Sequence, residues 1–152
     1  MANKTSNKPS SVSWFLIHVF FPLLPFLVEG TIRFLMLERS FNLHTFSSTT
    51  LATSITLLCL FLNQHLLAHN ISLPDEYERS QLHGSATWFL ICALISVILF
   101  VVIVLLTAVN EKHNALYQTE MYICEYVVFT FCVIPIITAI LTQRSYKLRA
   151  MI

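Results

Sequence analysis

Residues 88–109 carry only two polar side chains, Ser96 and Thr107. A helix made from such a stretch has no face to offer water. At about 1.5 Å per residue it is long enough to cross a bilayer hydrocarbon core of about 30 Å. Three further stretches share this character, residues 14–37, 49–68 and 121–142, and the fourth span is best bounded as residues 87–109. None alternates between apolar and polar positions, so strands of a membrane barrel are excluded as the spanning form. Charged residues make up 11% of the 152-residue chain and hydrophobic ones 56%, whereas a soluble domain is about a quarter charged. The expected fold is therefore an all-α membrane protein of four antiparallel transmembrane helices.

Four spans put both termini on one side. Lys4, Lys8, Arg144, Lys147 and Arg149 lie in the terminal segments and Arg79 in the middle connection, while the other two connections hold only Arg39 and Lys112. The positive-inside rule assigns both termini and the middle loop to the cytoplasm. Trp14 and Trp88 then both fall at the cytoplasmic interface, where amphipathic rings prefer to lie. Lys4 and Lys8 ahead of an apolar run, with Val28-Glu29-Gly30 as a candidate cleavage point, resemble a secretory signal. The apolar pattern resumes through Ile32 to Leu37, so a retained first helix is expected.

The polar residues 1–12 are expected to be disordered and residues 144–152 to form a basic tail. In the middle connection, Ser72, Pro74, Asp75 and Glu76 suit the start of a short surface helix, and Gly84 suits its stop. The acids Asp75, Glu76 and Glu78 lie near the basic Arg144, Lys147 and Arg149, a pairing that would suit either a solvated connector or a docking site for a cytoplasmic protein. Asn3-Lys4-Thr5 and Asn70-Ile71-Ser72 match the glycosylation pattern but fall on the side assigned to the cytoplasm.

Ionisable side chains inside a span need a partner or a task. Glu29 and Arg33 are spaced i,i+4 in the favourable order for an ion pair. Counted at helical rise, Arg33 lies about 6 Å, Glu29 about 12 Å and Glu125 about 6–8 Å below the outer interface. The expectation is a Glu29–Arg33–Glu125 cluster joining the first and last helices, either as a clasp or as the mouth of an ion path. Thr49, Thr53, Thr56 and Asn63 form a polar stripe on the second span, suited to close helix packing or to lining a pore. Pro22, Pro25 and Pro135 interrupt backbone hydrogen bonds within spans and are expected to bend them.

His18 and His65 match in depth, so a bis-histidine haem is conceivable, but the bulky Phe15-Leu16-Ile17-His18-Val19-Phe20-Phe21 surroundings argue against it. Ordinary interface histidines and no cofactor are expected. Cys59, Cys92, Cys124 and Cys132 all lie in spans and show no CxxC or Cys/His finger spacing, so neither disulfides nor a metal site is suggested. There is no GxSxG, HExxH, P-loop or Rossmann glycine pattern, and Asp75 is the sole aspartate. A non-enzyme is expected. The net charge of +1 gives no field for nucleic acid.

A chain with so little mass outside the bilayer works through its spans, its lipids or a docked partner. The expected function is a non-catalytic anchor or sensor subunit, homo-oligomeric, that recruits a cytoplasmic protein. The alternative is a small channel or transporter subunit using Glu29, Arg33 and Glu125. In architecture alone, the chain resembles small four-helix membrane subunits of bacterial defence systems such as Kiwa, and colicin immunity proteins. That resemblance implies a defence or immunity setting in a bacterial inner membrane.

Overall fold

The computed structural model describes residues 11–36, 47–70, 76–112 and 117–146. All but Ser47 and Tyr117 of these lie in helix: α1 (Ser11–Phe15), a π-helical turn (Leu16–Phe20), α2 (Phe21–Met36), α3 (Ser48–Asn70), α4 (Glu76–Lys112) and α5 (Gln118–Tyr146). α1, the π turn and α2 run on as one span. Four helices are thus long and apolar enough to cross a membrane, and no strand occurs among the described residues. Leu94, Ile98 and Leu105 on α4, and Ile123, Tyr126 and Leu141 on α5, are each more than half exposed. Apolar surface on this scale is incompatible with water and suits lipid. The protein is an integral membrane protein.

Proline shapes the first span. Pro22 has no N–H for the carbonyl four residues back, and its ring would clash with that carbonyl in a regular helix. The turn ahead of it is widened, and the Phe21 N–H donates five residues back to the Leu16 carbonyl. Pro22 itself is buried, whereas Pro25 is exposed. The expected bend thus takes the specific form of a π turn, which inserts one residue and rotates everything before it relative to α2.

α3 is the hub, touching α2, α4, α5 and the π turn. Its start is capped by Ser47, whose hydroxyl oxygen accepts the Thr50 N–H at 3.3 Å, relieving one of the orphan donors of the first turn. Buried positions then recur at spacings of four and three: Ser48, Ala52, Ile55, Cys59, Leu62 and Leu66. On α4, Leu82, Phe89, Ser96, Ile103 and Asn110 are buried at strict seven-residue intervals. Such a repeat sets these residues on one face of α4, two turns apart. In lipid no hydrophobic force drives helices together, so close approach through small side chains matters more. Ala52, Ala86, Ala93 and Ser96 supply it here.

The middle connection departs from expectation. Gly84 does not end a surface helix. α4 runs unbroken from Glu76 to Lys112, 37 residues or about 56 Å, well beyond the span of residues 87–109. Ser72, Pro74 and Asp75 lie outside the described residues. The helix continues because Leu82 and Ala86, on either side of Gly84, are fully buried in the core, and that burial outweighs the cost of about 1 kcal/mol for an interior glycine. At the other end of α4, the Asn110 side-chain oxygen accepts the Tyr117 N–H at 3.0 Å, tying α4 to the start of α5.

Candidate functional site

A polar cluster forms where α1 and the π turn meet α3. The Trp14 indole N–H donates to His65 Nε2 at 3.2 Å. Trp14 is 1% exposed. His18 Nδ1 lies 3.0 Å from the Trp14 carbonyl, and a carbonyl can only accept, so the proton sits on Nδ1. The indole only donates, so His65 must present an unprotonated Nε2 and, when neutral, carries its proton on Nδ1. The Trp14 and His18 rings stack at 5.0 Å with an interplanar angle of 16°. The His18 and His65 rings lie 4.2 Å apart, tilted by 55°.

The two histidines that share a depth in the sequence are therefore brought into direct contact. A haem between axial imidazoles would hold them on opposite faces of a macrocycle. Here the rings pack on each other, so these residues do not fit that group. No group of three or more potential metal ligands occurs among the described residues. The cluster joins two helices. Trp14 is the member that sequence reasoning treated only as an interface anchor; its i,i+4 spacing to His18, followed by Pro22, was the available signal.

Glu29 and Arg33 form the ion pair expected from their spacing, with Arg33 Nη2 2.6 Å from Glu29 Oε1. Glu29 is half-buried beside the buried Gly30, and Arg33 is more exposed. Glu125 is half-buried on α5. The spans carrying these residues meet at Phe26 and Phe129, whose rings are 6.4 Å apart, edge to face.

The polar stripe of α3 splits into two kinds of residue. Thr53 and Thr56 hydroxyls donate to carbonyls of their own helix, Thr49 and Ala52, both at 3.0 Å, and the Thr49 hydroxyl pairs with Ser47 at 2.7 Å. Asn63 instead donates across to the Ala86 carbonyl of α4 at 2.7 Å. A second crossing bond, which the sequence reading did not single out, runs from the buried Ser96 hydroxyl to the Ala52 carbonyl at 2.8 Å. Of the residues expected to meet a partner, Glu76 is exposed at the start of α4 and Arg144 is exposed in the last turn of α5. Glu78 lies in α4. Asp75, Lys147 and Arg149 lie outside the described residues.

The chain matched no protein-family model, no curated protein and no solved structure.

Proposed function

We propose that the protein is a non-catalytic membrane subunit, an oligomeric anchor or sensor that holds a cytoplasmic protein against the bilayer. The single observation carrying this reading is the length of α4. Its 37 residues exceed what a hydrocarbon core of about 30 Å needs by more than ten residues. The excess lies at the Glu76 end, forming a helical stem with Glu76, Tyr77 and Arg79 exposed. With Asp75, Glu78 and the basic Arg144, Lys147 and Arg149, the stem offers charges of both signs to a partner.

The reading takes the four spans as antiparallel with both termini in the cytoplasm of a bacterial cell. Lysine and arginine placement supports the orientation. The crossing bonds support the sense of α3 against α4, since Asn63 meets Ala86 while the earlier Ala52 meets the later Ser96. In that arrangement Glu29, three residues after Phe26, and Glu125, four before Phe129, stand within about 2 Å of one level. The channel or transporter alternative draws on this intramembrane charge. Within one copy the core is filled by Ile55, Leu58, Leu62, Leu66 and Phe89, so an ion path would run between copies.

The test is purification in mild detergent with mass measured by light scattering. A homo-oligomer carrying a soluble protein is expected, and charge reversal at Asp75, Glu76 and Glu78 releases that protein while the oligomer persists. A monomer with nothing bound overturns the reading.

A further inference from the structure

Between α4 and α5 lies a groove of about 470 Å³, within the range of small-molecule sites. Its walls include Trp88 and Leu141 in the apolar spans, and Gln81, Ser85 and Thr142 at the end nearer the stem. It therefore crosses the boundary between apolar span and polar helix. Gly84 also lines it, at an exposed position. A Cβ built there would meet nothing within 4 Å, and an interior helical position ordinarily favours alanine over glycine. Space is thus left open where the helix itself would gain by filling it. Arg144 stands outside the groove's lining, one turn on from Leu141 and exposed, so its long side chain flanks the groove and can reach the polar end only from the side.

We infer that this groove holds one phospholipid, with an acyl chain along Trp88 and Leu141 and the phosphodiester at Thr142, Gln81 and Arg144. The position at the bilayer boundary selects a lipid over a soluble ligand. The donor chemistry selects its phosphate. Arginine presents a fork of N–H donors matched to phosphate oxygens, and basic pockets between membrane helices are recognised lipid headgroup sites. Trp88 suits the interface level, its ring amphipathic and part-exposed. The Ser85 and Thr138 hydroxyls already donate to carbonyls of their own helices, which leaves their oxygens as acceptors and assigns donation to Gln81, Thr142 and Arg144. The inference rests on the membrane-spanning helices alone and stands or falls apart from any soluble partner.

Native mass spectrometry of the full chain, released from micelles doped with either phosphatidylglycerol or diacylglycerol, tests it. The wild type is expected to retain one phosphatidylglycerol and no diacylglycerol. Gly84→Leu fills the open space and removes the adduct. Thr142→Val, which keeps the shape, and Arg144→Gln each weaken retention, the arginine change by about tenfold, as loss of a hydrogen bond to a charged group implies. Equal retention of the two lipids, no adduct on the wild type, or an undiminished adduct on Gly84→Leu overturns the inference. An undiminished adduct on both Thr142→Val and Arg144→Gln does the same.

Discussion

Trp14 and His65, 51 positions apart in the chain, are joined by one hydrogen bond from the indole N–H to the imidazole Nε2 at 3.2 Å. The bond ties the first span to the hub helix. In a bilayer few forces hold a peripheral helix in one rotational setting, and this one is directional. Trp14→Phe and His65→Phe should each destabilise the protein, and a double-mutant cycle should give a coupling of about 1 kcal/mol. Unfolding in graded dodecyl sulfate measures it. Strictly additive effects would show that the bond contributes nothing.

The π turn places His18 under Trp14, and Pro22 is the reason for the turn. Pro22→Ala should let the segment return to α-helical register and separate the Trp14 and His18 rings from His65. Pro25→Ala, at an exposed position within regular helix, should leave the cluster intact. Emission of Trp14 in a Trp88→Phe background reports the change. A spectrum altered by Pro25→Ala but not by Pro22→Ala would refute this account.

Two residues of the α3 stripe differ in reach, and their substitution should differ likewise. Asn63→Leu removes a bond to another helix and should cost about 1 kcal/mol, near the values measured for bonds between membrane helices. Thr53→Val removes only a bond to its own helix and should lie within about 0.5 kcal/mol of the wild type. Thermal unfolding in a single detergent orders the two. A larger loss for Thr53→Val would place the functional face of α3 elsewhere.

The Glu29–Arg33 pair predicts a sign rather than a size. Glu29→Gln alone leaves an unpaired arginine within the span, and Arg33→Gln alone leaves an unpaired acid. Glu29→Gln with Arg33→Gln leaves neither charge. The double variant should therefore accumulate in membranes to higher levels than either single one. Quantified membrane-fraction yield decides it, and a double variant worse than both singles would mean the charges serve something beyond their pairing.

How far the molecule could be read in advance depended on the kind of force involved. Apolar length marks a span unambiguously, because the bilayer thickness is fixed, and all four were legible. Which face of each helix packs was not, since residues such as Leu94 and Ile98, which face outward, are as apolar as the buried Phe89 and Ile103. Only the structure exposes the seven-residue seam from Leu82 to Asn110. Glu29 with Arg33 was legible because an i,i+4 pair is local. The reach of Asn63 was legible because an amide in a span needs a partner. The Trp14–His65 bond depends on where two helices lie against each other and on a widened turn, neither of which is a local property. Gly84 misled for a related reason: its helix-breaking tendency is intrinsic, and the burial of Leu82 and Ala86 that overrides it is not.

α4 contains no proline, and its buried seam continues past Gly84 to Leu82. On the placement proposed above, it would behave as a stiff rod with a fulcrum in the bilayer and an arm outside it. Membrane helices adjust to bilayer thickness by changing tilt, and a change of about 10° is well within their observed range. Over an arm of about 15 Å, that change swings the Glu76 end sideways by about 3 Å. On the function proposed above, lipid thickness would thus reach the tip as a displacement, and a protein seated there would register the state of the membrane without any part of the bundle unfolding.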